Sequence, residues 1–373
     1  MSQSKASTSA TSLSLTEYLI DRIRREGPIT FHEWMREALY NDAAGYYVRP
    51  GATIWGRAGD YRTSPETSEL FAATFARFFA DLYQHLGAPD RFEIVECGAG
   101  DGSFAEGVLQ SLRSFFPHVY SATTYFLAEV GFNRHIDIKR RLTRFATKAE
   151  VINDSSLCEV NCGIVFSNEL LDAFPVHLIT KRDGELMELY IGLNASGGFD
   201  WVPGPLSTET LREMYQKNGI EIDRDQIIEL SSDIDKWLMT VANSIRRGYL
   251  ITVDYGAEAK ELYDNPDRFQ GTLRAYARHN LVDVLSHPGE HDITAHVNWT
   301  QVQSVGAAHG LRTVRFQRQD KFLLDAGLLD ELDRRSASAS DEAEKIRLTT
   351  AAREMILPNG MAASFQVLVQ EKA

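Results

Sequence analysis

The order of apolar and polar residues predicts a helical N-terminal region. Residues 14–26 carry apolar side chains at helical spacing, and Gly27-Pro28 ends that helix. Thr30 and Glu33 then form a capping box, which predicts a second helix that ends near Tyr40.

A loop and a third helix are expected next. Residues 41–63 are rich in Gly, Asp and aromatic residues and predict a loop, after which Ser64-Pro65-Glu66 begins the helix. Six apolar side chains at helical spacing then predict a face that packs in the core. They are Leu70, Phe71, Phe75, Phe78, Phe79 and Leu82.

From Phe92 onward, segments typical of strands and of helices alternate. Such alternation predicts an α/β fold, in which a parallel sheet has helices on both faces. The expected strands are 92–96, 124–130, 148–152 and 163–167, with helices near 103–116 and 132–145.

The second half of the chain breaks this rhythm. Residues 176–202 contain short β segments separated by Asp183-Gly184 and Gly197-Gly198, which predicts a hairpin. We expect residues 208–247 to be mainly helical and residues 248–256 to form a buried strand. The chain closes with paired strands at 311–318 and 364–370, which flank polar helical sequence with an expected surface insertion around 336–341.

The most informative segment is the turn after the strand that begins at Phe92. Three glycines at alternate positions follow the acidic residue Glu96, and a helix-forming stretch comes next. Glycine lets the backbone turn sharply and approach a ligand, and a helix N-terminus suits an anionic group. The spacing is G-x-G-x-G, whereas dinucleotide-binding proteins use G-x-G-x-x-G. This pattern resembles that of S-adenosylmethionine (SAM) methyltransferases, with Glu96, Gly98, Ala99, Gly100, Asp101 and Gly102 as cofactor-binding residues.

Acidic and amide side chains follow the other predicted strands, at the edge where open α/β sheets bind ligands. Glu129 closes the second strand, where a carboxylate can accept both ribose hydroxyls. Asp154, helped by Asn153, follows the third strand and is a candidate for the adenine amino group. A helix cap or a loop carboxylate is the alternative for each acid. At the fourth strand, Asn168 and Glu169 are candidates to orient the donor or the acceptor, unless Asn168 caps the next turn.

Composition narrows the range of partners. With 373 residues, of which 43% are hydrophobic, the chain can bury a large core, and no apolar run reaches the roughly 18 residues of a membrane span. The net charge of −13 argues against a nucleic-acid partner. Three cysteines without a CxxC pair favour a reducing compartment. Residues 1–12 predict a disordered tail and make a poor mitochondrial presequence.

Several blocks of the sequence together resemble the MidA family of SAM-dependent methyltransferases, from about residue 15 to residue 370. One departure follows Glu129, where the family usually continues with Ser-Pro and this chain has Val130-Gly131-Phe132-Asn133. The matching blocks are 42–47, 59–66, 96–102, 167–176, 254–256, 271–276 with His279, 288–289, 292–297 and 360–368.

The resemblance implies a class I SAM-methyltransferase fold with a Rossmann-like sheet, an N-terminal helical and loop extension, and an inserted α+β region on the substrate side. It also implies SAM as cofactor, S-adenosyl-L-homocysteine as product, and a protein or peptide substrate. Arginine is the favoured acceptor, and a respiratory complex I subunit is a candidate partner. We divide the chain into a tail (1–12), an N-terminal helical extension (13–90), a first core half (91–175), an inserted hairpin and helical region (176–247) and a second core half (248–373).

An arginine acceptor sets a chemical requirement, because its guanidinium must lose a proton during or after methyl transfer. Carboxylates that hold the cation can take that proton. Glu169 and Asp172 are the first candidates for this catalytic role, followed by Asp60 and Asp292. A hydroxyl or carboxylate acceptor needs another base, for which His296 is the candidate.

Four histidines lie close together in the sequence near Asp292, but their spacing fits no familiar zinc pattern and methyl transfer from SAM needs no metal. We therefore expect loop hydrogen bonds or substrate contacts there, and no metal. Tyr46, Tyr47, Trp55 and Tyr61 are expected either to line the substrate pocket or to pack in the core. The four histidines are His279, His287, His291 and His296.

Two other functions stay open on the sequence alone. One is methylation of a small metabolite or modified peptide, and the other is a non-catalytic assembly factor that binds SAM. The glycine spacing disfavours a dehydrogenase. We expect a cytoplasmic location, or the mitochondrial matrix if the protein is eukaryotic, and an oligomer is compatible with the sequence.

Overall fold

A computed structural model shows one large mixed sheet covered by helices and two smaller sheets. It describes residues 14–49, 69–153, 158–217, 219, 221–277, 280–357 and 364–373. The helices are α1 (Leu15–Glu26), α2 (Phe31–Tyr40), α3 (Glu69–His85), α4 (Ser103–Phe115), α5 (Pro117–Ala122), α6 (Phe132–Arg141), α7 (Glu209–Lys217), α8 (Ser232–Ser244), α9 (Ala259–Tyr263), α10 (Trp299–Ala308), α11 (Gln319–Asp325), α12 (Leu328–Ala337) and α13 (Glu342–Ile356).

The strands fall into three sheets. They are β1 (Ile29–Thr30), β2 (Phe92–Cys97), β3 (Thr123–Ala128), β4 (Ala149–Ile152), β5 (Gly163–Asn168), β6 (His177–Arg182), β7 (Glu185–Leu193), β8 (Phe199–Gly204), β9 (Ile227–Leu230), β10 (Gly248–Ala257), β11 (Arg274–Ala277), β12 (Asn280–Val282), β13 (Asp292–Thr294), β14 (Val297–Asn298), β15 (Arg312–Arg318) and β16 (Phe365–Lys372).

The large sheet has the strand order β4-β3-β2-β5-β10-β16-β15, and β14 pairs with the end of β10. The first five strands of this order are parallel, which confirms the predicted α/β sheet. The chain closes with β16, which runs antiparallel between β10 and β15, so the predicted terminal strand pair is also confirmed. The order reverses direction between β2 and β5. Open α/β sheets bind ligands at such a switch point, outside the carboxyl ends of the strands.

The first two helices begin as the sequence predicts. Ser14 with Glu17, and Thr30 with Glu33, form complete capping boxes. The predicted start of the third helix, residues 64–66, lies outside the described residues. The described part of this helix, α3, packs three phenylalanines against β5 and the helix that follows the glycine turn. This aromatic core therefore holds α4 and β5 in place next to the candidate site.

A smaller antiparallel sheet joins the N-terminal region to the later part of the chain. Its order is β1-β7-β6-β9, with β8 paired to β7. The predicted hairpin is found as β6 and β7, which turn at Asp183-Gly184. The mainly helical prediction for residues 208–247 misses β9, which pairs with β6. Four residues are too few to show the alternation of apolar and polar side chains that is typical of a strand. Pairing with the edge strand β6, which is distant in the sequence, stabilises β9 instead.

The last helices of the chain pack more closely than their polar sequence indicates. Residues 336–341 are exposed or half-buried, as expected of a surface insertion. Phe322 of α11 and Leu328 of α12, however, are fully buried in the main core. In the described part of the chain, no helix combines the length and the apolar character that a bilayer crossing needs.

Candidate functional site

The glycine turn between β2 and α4 adopts a backbone that only glycine adopts easily. Gly98, Gly100 and Gly102 have φ angles of 71°, 58° and 78°. A Cβ at Gly98 would lie 3.0 Å from Leu170 Cδ1, and one at Gly102 would lie 3.2 Å from Ile138 Cγ2. The turn therefore exposes backbone rather than side chains at the switch point of the sheet.

Glu96, the acidic residue before the glycines, is a buried carboxyl group in β2. Its Oε2 accepts a hydrogen bond of 2.8 Å from the hydroxyl of Tyr125. Burial raises the pKa of Glu96 to about 8, and the negative charges of Asp101 and Glu129 add to this effect. A cationic group bound nearby would favour the ionised form of this residue.

Glu129 links the end of β3 to the glycine turn. Its Oε2 accepts the N–H of Gly100 at 3.0 Å, and its Oε1 accepts the N–H of Gly131 at 2.9 Å. The strand ends at Ala128 and not at the predicted residue 130, so Glu129 lies just beyond it. Gly131 stands where the family usually has proline, and it therefore supplies to this carboxylate a backbone N–H that proline lacks. The ribose contact of Glu129 stays a prediction.

The remaining residues predicted to bind the cofactor lie around this turn. Ala99 is buried in it. The side chain of Asp101 pairs with Arg141 at 2.6 Å and accepts the N–H of Ser103 at 2.9 Å. Asn153 is exposed just after β4, and Asp154 lies outside the described residues. The cofactor contacts of Asp101, Asn153 and Asp154 stay predictions.

The mouth of β5 carries a strained acidic residue. Asn168 ends the strand and its Nδ2 donates to Glu169 Oε1 at 3.1 Å. Glu169 has a φ of 51°, in the left-handed region, while its own N–H donates to Val253 O in β10. A left-handed conformation costs a residue other than glycine about 1–2 kcal/mol. Such strain concentrates at functional sites, so Glu169 is a good candidate for one.

Asp254, at the end of β10, organises the short 3₁₀ turn Leu171–Ala173. Its Oδ2 accepts N–H groups from Leu170, Leu171 and Asp172 at 3.2, 2.9 and 3.3 Å, and its Oδ1 accepts the N–H of Tyr255 at 2.9 Å. Burial and the charge of Glu169 raise the pKa of Asp254, whereas the hydrogen bonds from the backbone N–H groups of Tyr255, Asp172 and Leu171 oppose this shift and favour the ionised form. This carboxylate fixes the backbone that carries Asp172.

Asp172 is a buried carboxyl group whose two oxygens differ in their hydrogen bonds. Its Oδ2 accepts a short hydrogen bond from the hydroxyl of Tyr255. Its Oδ1 is buried and has no hydrogen-bond partner among the described residues. Burial raises the pKa of Asp172 well above its usual range, and the neighbouring charges of Asp254 and Asp292 raise it further.

A tyrosine from the N-terminal region contacts the acidic edge of the site, which we define as the carboxyl groups of Glu169, Asp172, Asp254 and Asp292. The hydroxyl of Tyr47 donates a hydrogen bond to Asp292 Oδ1 at 2.6 Å. The backbone carbonyl of Tyr47 accepts a hydrogen bond from Arg134 Nε at 3.1 Å. Arg134 also lies 3.9 Å from Glu129 Oε1, so Tyr47 spans the two sides of the site. Tyr46 is fully buried in the core, which is the packing alternative considered for it. Asp60, Trp55 and Tyr61 lie outside the described residues.

His296 borders the acidic edge as a neutral imidazole. Its ring packs edge-on against Tyr255 at 5.5 Å, and its backbone N–H donates to Thr272 Oγ1 at 2.9 Å. Burial lowers the pKa of His296 to about 4, and the charges of Arg268 and Arg274 lower it further. Its Nδ1 is buried without a hydrogen-bond partner in the described structure. The described residues contain no group of three or more His, Cys, Asp and Glu side chains arranged to hold a metal.

The structure therefore brings Glu169, Asp172, Asp292 and His296 to the carboxyl edge of the sheet, beside the glycine turn. Three further residues of this region carry roles that the sequence did not assign. They are Arg134, Tyr255 and Glu229. The Oε1 atom of Glu229 accepts hydrogen bonds from the backbone N–H groups of Thr272 and Leu273. Tyr255 follows the acid at the end of a buried strand, which is a usable signal. Arg134 and Glu229 stand in ordinary polar helix and strand sequence and give no local signal.

The residues present fit a bound SAM. Three left-handed glycines carry no side chain in the turn after β2, and the carboxylate of Glu129 follows the neighbouring strand. A family of S-adenosyl-L-methionine-dependent methyltransferases matches residues 74–317, which is well over half of the sequence. This chain belongs to that family. The match confirms the SAM cofactor and the methyltransferase activity expected from the resemblance.

Individual relatives agree with the family. A Drosophila melanogaster protein named "Protein arginine methyltransferase NDUFAF7 homolog, mitochondrial" is 28% identical over 322 residues, covering 80% of this chain and 71% of its own length. The Danio rerio NDUFAF7 protein is 23% identical over 393 residues, covering 96% and 87%. A Burkholderia thailandensis protein of the COG1565 superfamily, solved with bound S-adenosyl-homocysteine, has a TM-score of 0.86 at 28% identity, covering 96% of this chain and 92% of its own.

Proposed function

We propose that this methyltransferase modifies an arginine side chain of a protein. The observation that carries the proposal is the acidic edge of the site, where Asp172 and Asp254 are buried and Asp172 Oδ1 has no hydrogen-bond partner among the described residues. None of the ion pairs in the described structure involves either carboxyl group. A guanidinium is planar, cationic and rich in N–H donors, so it suits such carboxylates.

The chemistry requires alignment and a late proton transfer. Bound SAM supplies an electrophilic methyl group on a sulfonium. Correct alignment of two reactants can lower the barrier by roughly 7–11 kcal/mol. Forming a neutral guanidine before attack, near pH 7, would cost on the order of 8 kcal/mol. In our proposal Asp172 and Glu169 hold the guanidinium in place, and one of them takes its proton as the new bond forms.

The relatives support a protein acceptor. The Drosophila and zebrafish proteins are named protein arginine methyltransferases. By family resemblance, a respiratory complex I subunit is a candidate substrate. We also propose that residues 176–247, with the N-terminal segment that pairs with them through β1 and β7, form the substrate-side part of the molecule. The division of the chain into five regions remains a proposal on the same basis.

A second candidate acceptor is a hydroxyl or carboxylate group, with His296 as the base. The neutral imidazole and its buried Nδ1, which has no hydrogen-bond partner among the described residues, favour this alternative. A pKa of about 4 makes His296 a weak base, however, and the acidic edge would repel a carboxylate. We therefore favour arginine.

The compartment is proposed from indirect observations. The three cysteines are free, which fits a reducing cytoplasm. The relatives carry the word mitochondrial in their names, so a matrix location is the alternative if the protein is eukaryotic.

The experiment is a labelling assay on a lysate from cells that lack the gene. Purified protein and SAM with a labelled methyl group are added, and mass spectrometry locates the label. We expect the label in methylarginine of a protein. Label in low-mass material would support a small-molecule acceptor, and label in neither fraction would support a binding factor without methyltransferase activity. Glu169→Gln should retain SAM binding and slow the transfer. Asp235→Asn, which alters a half-buried aspartate of α8, serves as the matched control. Normal turnover of Glu169→Gln removes Glu169 from the catalytic role.

A further inference from the structure

We infer that Asp172 is a neutral carboxylic acid in the free enzyme, that it releases its proton when the acceptor cation binds, and that it regains a proton at methyl transfer. The inference rests on the proposed arginine acceptor and adds to it a proton cycle at one named group. It starts from the different hydrogen bonds of two neighbouring buried carboxyl groups, Asp172 and Asp254.

The geometry decides which of the two groups carries the proton. Asp254 accepts four backbone N–H groups, and this environment suits an ionised carboxylate. Asp172 accepts one hydroxyl, from Tyr255, and its Oδ1 is buried with no hydrogen-bond partner in the described structure. Two neighbouring buried carboxyl groups cannot both be ionised cheaply, so the less solvated one holds the proton. That group is Asp172.

Among the described groups that act on Asp172, none is a cation that would favour its ionised form. Asp172 is 4% exposed, so water contributes little. Burial and the charges of Asp254 and Asp292 raise its pKa, whereas the hydrogen bonds from the Tyr255 hydroxyl and the Ala173 backbone N–H lower it. The neighbouring elements also carry titratable or charged groups. They are Asp254 and Tyr255 in β10, Glu169 before the 3₁₀ turn, Asp292 in β13, Tyr40 at the end of α2, Tyr47 after it, the neutral His296, and Arg268 and Arg274, whose charges act on His296.

A guanidinium supplies the missing cation. When it binds beside Oδ1, the carboxylic acid ionises and its proton goes to the solvent. During transfer, a guanidinium nitrogen forms a bond to the methyl carbon while the carbon–sulfur bond breaks toward sulfur. The proton of that nitrogen then moves to the Asp172 carboxylate. The charges balance, because a guanidinium, a sulfonium and a carboxylate become a methylguanidinium, a thioether and a carboxylic acid.

The cycle gives product release a physical cause. Before transfer the cation faces an ionised Asp172, whereas after transfer the methylated cation faces a neutral acid. Hydrogen bonds to charged groups are stronger than those to neutral groups, so the methylated side chain is held less tightly than the substrate. Tyr255 acts as a positioning residue, because its hydroxyl occupies Oδ2 and leaves Oδ1 for the acceptor.

Infrared difference spectroscopy tests the inference on the full-length protein with bound S-adenosyl-homocysteine. The carbonyl band of a protonated carboxylic acid should be present at pH 7 in the wild type and reduced by one group in Asp172→Asn. Addition of N-acetyl-arginine amide should remove the Asp172 contribution to this band and release one proton per molecule bound, detected by a pH indicator in weak buffer. N-acetyl-citrulline amide, which has a similar shape and no charge, should do neither.

Variants separate this proton cycle from general damage. Tyr255→Phe removes the hydrogen bond that favours ionisation, so its acid band should persist and the arginine probe should release less than one proton. Asp235→Asn should behave as the wild type. The inference is overturned if the free wild type lacks the Asp172 band, if the probe does not bind, or if it binds without proton release. Failure of the proposed function is a separate outcome, seen as the absence of protein methylarginine in the labelling assay.

Discussion

Replacement of Gly98 by alanine tests whether the bare glycine turn is what binds SAM. The φ of 71° is a left-handed conformation, which costs an alanine about 1–2 kcal/mol. The new Cβ would lie 3.0 Å from Leu170 Cδ1, and a small shift of that flexible side chain relieves the contact. The backbone term therefore dominates. If the loop must keep this conformation to bind the donor, affinity for S-adenosyl-homocysteine falls about 5- to 30-fold, at 1.4 kcal/mol per tenfold.

Gly27 provides a matched control for this variant. It has a φ of 87° at the end of α1, and a Cβ there would have no atom within 4 Å. Its ψ of −174° places it in a region of backbone space that is essentially confined to glycine, so Gly27→Ala should lower the free energy of unfolding by about 1–3 kcal/mol. It should leave the affinity for S-adenosyl-homocysteine unchanged by calorimetry, because it is remote from the turn. If Gly98→Ala binds as tightly as the wild type, the role of the left-handed turn is refuted.

Three further predictions concern charged groups. Glu129→Gln should weaken S-adenosyl-homocysteine binding about 10- to 100-fold in calorimetry, because hydrogen bonds to a charged group contribute about 1.5–3 kcal/mol; unchanged affinity would count against a ribose contact. Burial disfavours the ionised form of Asp233, but hydrogen bonds from His32 and Lys236 outweigh it and lower the pKa of this residue to about 2. The stabilisation that Asp233→Asn removes should therefore be full above about pH 4 and shrink as the pH falls toward 2, which urea unfolding at several pH values measures. Burial raises the pKa of Glu96 from 4.5 to about 8, so the wild type has its full stability below about pH 4.5 and loses this contribution as the pH rises to 8. Cofactor-free Glu96→Gln should therefore gain stability relative to the wild type between about pH 4.5 and 8, measured by urea unfolding, and a constant difference over this range would contradict the prediction.

Local signals in the sequence were sufficient for part of the fold. The capping box at Thr30 joins residues three positions apart, so the pattern and the structure coincide. The glycine turn is equally local, and its three positive φ angles follow from the choice of residue. Alternating strands and helices then predicted the parallel sheet, because that order permits few other arrangements.

Contacts between distant segments could not be predicted in this way. The hydrogen bond from Tyr47 to Asp292 joins residues 245 positions apart, and the one between His32 and Asp233 joins residues 201 positions apart. Each needs the relative placement of the N-terminal helices, the small sheet and the core. Asp254 lies in the strand predicted at residues 248–256, but its function in holding the 3₁₀ turn depends on which strand pairs with β10 in the sheet.

A crystal structure of the protein with S-adenosyl-homocysteine tests the central claim most directly. We expect the homocysteine part against the backbone of Gly98 and Gly100, the ribose on the carboxylate of Glu129, and the sulfur directed toward Asn168 and Asp172. Density for the ligand at any other place, with the glycine turn empty, would contradict the claim.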